Sequence, residues 1–95
     1  MMYVVIRNYS GQGASELFDL LRQREEEVKS LIGGVPGFVS YAALPSNGGG
    51  TTVTVCEDKA GTDESSRRAA EWVEQNANVT VTPPQITEGS PVLQF

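Results

Sequence analysis

A 95-residue chain with twelve Asp and Glu against seven Lys and Arg, net charge −5, lacks the basic footprint of a nucleic-acid binder. That charge also disfavours an anionic membrane surface. No histidine and a single cysteine exclude an internal disulfide, a zinc site and histidine-based catalysis or haem ligation.

The length allows one domain spanning 1–95, and Leu, Ile, Val and Phe are frequent enough for it to fold. The start, Met1-Met2-Tyr3-Val4-Val5-Ile6-Arg7, has neither the basic leader nor the roughly 7–15-residue apolar stretch of a secretory signal. No segment approaches the roughly 20 apolar residues of a membrane span. A cytoplasmic protein with a reduced Cys56 is the expectation.

Tyr3 to Tyr9 reads as a strand, closed by Ser10-Gly11-Gln12-Gly13. Val4, Ile6 and Asn8 share one face, and Tyr3, Val5, Arg7 and Tyr9 share the other. Both faces carry apolar bulk, unlike a sheet with one wet side. Ser15 is then a good N-cap, with Glu16 on the favourable end of the dipole. Leu17, Leu20, Leu21, Val28, Leu31 and Ile32 recur at helical spacing until Gly33-Gly34, which predicts one continuous helix. Arg22–Glu26 and Glu25–Lys29 pair charges along its outer surface.

Pro36-Gly37 leads into a second strand, Phe38 to Leu44, and the Asn47–Gly50 run joins it to a third, Thr51 to Glu57. Thr62 or Asp63 caps a second helix running to about Ala77, with Ser66, Ala69, Ala70, Val73 and Ala77 as its stripe. Arg67 and Arg68 are matched by Glu71 and Glu64, so they form a solvated face rather than a binding patch. Val79 to Thr82 begins a last strand that Pro83-Pro84 interrupts, placing it at an edge or breaking it. The terminal Val92-Leu93-Gln94-Phe95 is apolar enough to dock on something.

This β-α-β-β-α-β order predicts an α+β, ferredoxin-like fold: a four-stranded antiparallel sheet with two helices on one face. The other face is apolar and bare, so a homodimer through that face and the C-terminal arm is expected.

Architecture and chain course resemble the dimeric α+β barrel superfamily, in particular its antibiotic-biosynthesis-monooxygenase-like branch. The residues that carry the resemblance are the strand ending near Asn8, the long amphipathic helix, Val35-Pro36-Gly37-Phe38, the hairpin, the second helix and the extended C-terminal arm. The branch includes cofactor-free oxygenases of aromatic substrates, haem degraders and proteins without an assigned activity. Its haem degraders use an asparagine near the end of strand one, a tryptophan closing strand three and a histidine ligand. Asn8 matches the first, Cys56 stands near the second, and no histidine exists, which argues against haem degradation. No cofactor is expected.

Four residues are candidates for a ligand pocket between helices and sheet. Asn8 is expected to point between the layers, where it orients a small molecule or satisfies the Ser10–Gly13 turn. Arg24 lies in the middle of the first helix's apolar stripe; its head either pairs with Glu57 or another carboxylate, or reaches the cavity and binds an anionic or enolate-like group. Tyr41 is either an ordinary strand residue or a pocket hydroxyl. Trp72 flanks the second helix's stripe, closing a pocket rim, shielding a core edge or contacting a dimer partner. Cys56, beside Glu57-Asp58 and far from any cation in sequence, reads as structural.

The Gly11-Gln12-Gly13 run fails as a nucleotide loop because Glu16 stands where a third glycine belongs. Strand three lacks the aromatics of an RNA-binding sheet, and no CxxC supports metal transfer. Two readings remain: a ligand-binding protein or cofactor-independent monooxygenase acting on a phenolic or quinone-type molecule, and a non-catalytic barrel with a packed interior.

Overall fold

The computed structural model describes residues 2–95. Its order is β1 (Tyr3–Ser10), α1 (Ala14–Gln23), α2 (Glu25–Gly33), β2 (Phe38–Ser46), β3 (Gly49–Cys56), α3 (Lys59–Asn76) and β4 (Gln85–Gly89). The sheet runs β2-β3-β1-β4 with every neighbouring pair antiparallel, the expected ferredoxin-like arrangement. β1 and β3 form its centre, with Tyr3 opposite Cys56 and Ser10 opposite Gly49.

The first helix is not continuous. Arg24 leaves helical geometry at φ −115° and ψ 34° and separates α1 from α2. The charge pattern explains the break: Arg22 sits in the last turn of α1, and Glu25, Glu26 and Glu27 fill the first turn of α2. Cations favour a helix C-terminus and carboxylates an N-terminus, so two short dipoles accommodate this run better than one long helix. The stripe still works across the break, because Leu17 and Phe18 of α1 and Val28 and Ile32 of α2 are all buried in one cluster.

Other boundaries also shift. α1 begins at Ala14 behind Gly13, whose φ of 80° needs glycine, rather than at a Ser15 cap. A side chain at Gly13 would collide with the Thr80 carbonyl, and the Thr82 amide donates to the Gln12 carbonyl at 2.9 Å. The Gly-Gln-Gly run thus serves backbone approach. α3 starts one turn earlier than expected, capped by Asp58, which accepts from the Gly61 amide at 3.0 Å. Its covered face is accordingly rotated: Gly61, Thr62, Ser65 and Trp72 are buried, while Ala70 is exposed. Residues 79–84 form no strand, and β4 begins only after Pro83-Pro84, as an edge.

Parity along the strands defines the two faces. Val5, Arg7 and Tyr9 of β1 and Thr52, Thr54 and Cys56 of β3 lie buried under the helices. Val4, Ile6, Val53 and Val55 occupy the opposite face and are half-buried. Val92, Leu93 and Phe95 stand almost wholly exposed beyond β4. No helix among the described residues is long and apolar enough to cross a membrane.

Candidate functional site

Arg7 is the unusual feature of the covered face. Its side chain is 2% exposed, yet no carboxylate lies within ion-pair distance of it among the described residues. Four neutral hydroxyls take its terminal nitrogens. Nη1 donates to Thr54 Oγ1 at 3.0 Å and Thr52 Oγ1 at 3.3 Å, and Nη2 donates to Ser65 Oγ at 2.8 Å and Ser66 Oγ at 2.9 Å. The fifth donor, Nε–H, has no partner and is shielded from solvent. Burial pushes the guanidinium below its ordinary value, opposed by Tyr9, Tyr41, Cys56 and Glu88 of the neighbouring β4. Arginine nevertheless stays charged in proteins. A buried cation without a counter-charge is costly even when its N–H groups are hydrogen-bonded.

Each partner arrives from a separate element. Strand pairing sets Arg7 opposite Thr52, so their side chains share a face, with Thr54 one pleat along. Ser65 and Ser66 come from α3, where Ser65 Oγ also donates to the Thr62 carbonyl at 2.7 Å.

Two spaces meet at Arg7. A cleft of about 840 Å³ opens between α3, β1, β4 and residues 78–84; Arg7, Tyr9 and Ser66 are its polar lining near the sheet, and Ala69, Val73, Val81 and Ile86 are apolar walls. An inner chamber of about 20 Å³ shares Arg7, Tyr9, Ala69 and Val73 with it and adds Tyr41, Thr52 and Trp72. Burial raises the Tyr9 hydroxyl's pKa, partly offset by Arg7, and pushes Tyr41 up to about 12. At neutral pH these phenols are therefore donors. The constellation stabilises negative charge and supplies no base. A separate groove of about 560 Å³ lies between α1–α2 and β2, with Phe18, Leu21, Val28 and Phe38 in its walls and Arg22, Glu25 and Lys29 beside them.

The four sequence candidates divide. Tyr41 and Trp72 both line the inner chamber. Asn8 is exposed on the opposite sheet face, where Oδ1 accepts from Thr51 Oγ1 at 3.0 Å, so the expected orientation between the layers is wrong. Alternation along β1 requires this once Val5 and Tyr9 face the helices. Arg24 lines none of these three spaces. Its Nη2 donates to Glu27 Oε2 at 2.7 Å, and its guanidinium lies 5.5 Å from the Trp72 ring centroid. The expected pairing with a carboxylate is there, and the carboxylate is Glu27 and not Glu57. Trp72 Nε1 also donates to Glu27 Oε1 at 3.0 Å, tying α2 to α3. Cys56 is fully buried, and burial and Asp58 raise its pKa, in keeping with a structural thiol.

The sequence reading overlooked Arg7, although it shared a face with Val5 and Tyr9. The usable signal was Thr52, Thr54 and Cys56 alternating on strand three: pairing this small-residue face with Arg7 offers hydroxyls to a cation. Among the described residues, no group of three or more His, Cys, Asp or Glu is placed to hold a metal ion.

No family model matches the chain, and no curated protein matches it. Solved structures do. A protein of unknown function from Nitrosomonas europaea, NE2512, superposes with a TM-score of 0.69 at 18% identity, over 99% of this chain and 91% of that one. A Bordetella bronchiseptica protein provisionally named an antibiotic biosynthesis monooxygenase gives 0.68 at 19% identity, over 97% and 98%. SnoaB, a cofactor-independent oxygenase from Streptomyces nogalater, gives 0.66 at 12% identity, over 99% and 96%. At such identities the likeness carries the fold and no activity. The chain has the α+β barrel fold of the antibiotic-biosynthesis-monooxygenase-like proteins, as its strand order and Pro36-Gly37-Phe38 lead-in anticipated.

Proposed function

We propose that this chain binds a small aromatic or enolic molecule in the cleft between α3 and the sheet, as one half of a homodimer. The observation that carries the reading is the buried Arg7 cation, without an ion-pair partner among the described residues, beside an apolar-walled cleft of about 840 Å³. A packed interior has no use for an unpaired guanidinium. The dimer reading rests on the half-buried Val4, Ile6, Val53 and Val55 face and the exposed Val92, Leu93 and Phe95 arm. A second copy laid on that face buries both.

A thermal-shift screen with phenols, hydroxyquinones and their carboxylated relatives tests the binding reading, because a ligand specific to the folded state raises Tm with concentration. At ligand concentrations of about 100 Kd, stabilisation of about 2.7 kcal/mol is expected. A flat response across all the classes overturns the reading. The likeness to SnoaB supports a second reading, cofactor-independent oxygenation of such a molecule. Ligand-dependent oxygen consumption separates it from binding alone, and absence of consumption with a proven ligand removes it.

A further inference from the structure

The charge inventory around Arg7 narrows the ligand class, on the basis of the cleft-binding reading above. Three donors near the meeting point of cleft and chamber lack an acceptor. Arg7 Nε–H is unpartnered. Ser66 Oγ accepts from Arg7 Nη2 at 2.9 Å, which leaves its own proton free for an acceptor in the cleft it lines. Tyr9 also lines the cleft and holds its proton at neutral pH. Against these donors no carboxylate among the described residues reaches ion-pair distance of Arg7: Glu88, on the same face of β4, acts on it only from farther away, and Glu74, the acidic lining residue, belongs to a later turn of α3. Arg67, the other cation lining the cleft, is already paired with Glu64 and Glu71.

Charge balance limits the answer. One fixed cation calls for one negative charge, and four of its five N–H groups are already taken, which leaves no open fork for a bidentate phosphate. Apolar walls call for an organic body. A neutral phenol or quinone leaves the buried charge uncompensated, whereas an acid already ionised at pH 7 cancels it. We infer that the cleft is a site for a small aromatic monocarboxylate, with the carboxylate held by Ser66 and Tyr9 beside the Arg7 guanidinium. Ser66 relays the cation's field through its hydroxyl, and Arg7 Nε–H, shielded and without a partner among the described residues, lies close enough to feel the bound charge.

The test compares 4-hydroxybenzoate with its neutral isostere 4-hydroxybenzamide, by calorimetry at pH 7 on the full chain. The benzoate is expected to bind at least about tenfold more tightly, the size set by one hydrogen bond between charged partners. Arg7→Gln should close that gap, and Ser66→Ala, which leaves Arg7 in place, should narrow it several-fold. In wild type the Arg7 Hε resonance should move with the benzoate and not with the benzamide, so the inference stays open to failure even where Arg7→Gln does not fold. Equal affinities in wild type overturn the monocarboxylate assignment and leave the cleft reading standing. A gap that survives both substitutions removes it from Arg7 and Ser66. Failure of both compounds, with a flat screen, overturns the cleft reading itself.

Discussion

The two faces of the sheet invert the usual division of labour. The covered face buries Arg7, Thr52 and Thr54, with Ser65 of α3 against them. The uncovered face carries Val4, Ile6, Val53 and Val55, half in solvent. A sheet with one wet side normally puts its aliphatic residues under the helices and its polar ones outside. Here the interior face uses part of its burial to hold a cation, and the exterior face is apolar enough to need a cover. The difference separates two roles: the helix side surrounds a charge, and the open side presents the apolar surface on which the proposed homodimer rests.

Adjacent substitutions on opposite faces give the largest test of that comparison. Val5→Lys puts a second cation beside Arg7 at a position 2% exposed and should unfold the chain, at a cost of roughly 3–5 kcal/mol. Val4→Lys, one residue earlier, should leave the circular-dichroism spectrum of the fold intact and shift sedimentation from dimer to monomer. Equal damage from both, or a wild-type monomer at micromolar concentration, breaks the contrast.

A smaller effect separates stability from function. Arg7→Met removes a desolvated cation and leaves Ser65 bonded to the Thr62 carbonyl, but strips the buried Thr52 and Thr54 hydroxyls of their donor, so unfolding free energy should fall by only about 1–2 kcal/mol. Leu17→Ala, at a position 2% exposed in the aliphatic part of the same covered side, should cost about 2–5 kcal/mol in the same urea titration. A loss at Arg7 as large as at Leu17 makes the guanidinium a structural strut.

The smallest effect lies outside both faces. Arg67 and Arg68 hold the half-buried Glu64 carboxyl well below its ordinary 4.5, at about 2. Between those values the unfolded chain binds the proton and the folded chain does not, so this contribution is present above about pH 4.5 and fades as pH falls towards 2. Glu64→Gln should flatten the Tm profile across that window, by an amount small enough to vanish in high salt.

Much of the fold was legible because it depends on local pattern. Strand alternation, the Gly33-Gly34 stop and the Pro83-Pro84 interruption each act within a few residues, and the element order then leaves few sheets to choose from. The break at Arg24 was equally local but was read by hydrophobic period, which continues across it; the Arg22-to-Glu27 charge reversal was the better guide. The site was less legible. Asn8 and Arg7 are neighbours on one strand, and choosing which of them faces the helices is a one-residue parity question. With apolar residues on both faces, the local pattern cannot answer it.

A chain of 95 residues with net charge −5, one cysteine and no histidine is by itself poor in metal and acid–base chemistry, and the period of the apolar residues determined the order of helices and strands, though not the break at Arg24 or the start of β4. Tertiary structure alone decided that Arg7, Ser65 and Ser66, separated by 58 and 59 positions, meet under α3 with no carboxylate among the described residues in ion-pair reach of Arg7. The physical reason is range. Propensity and periodicity act over a turn or a pleat, whereas the compensation of a buried charge depends on which distant side chains the packing brings within hydrogen-bond reach.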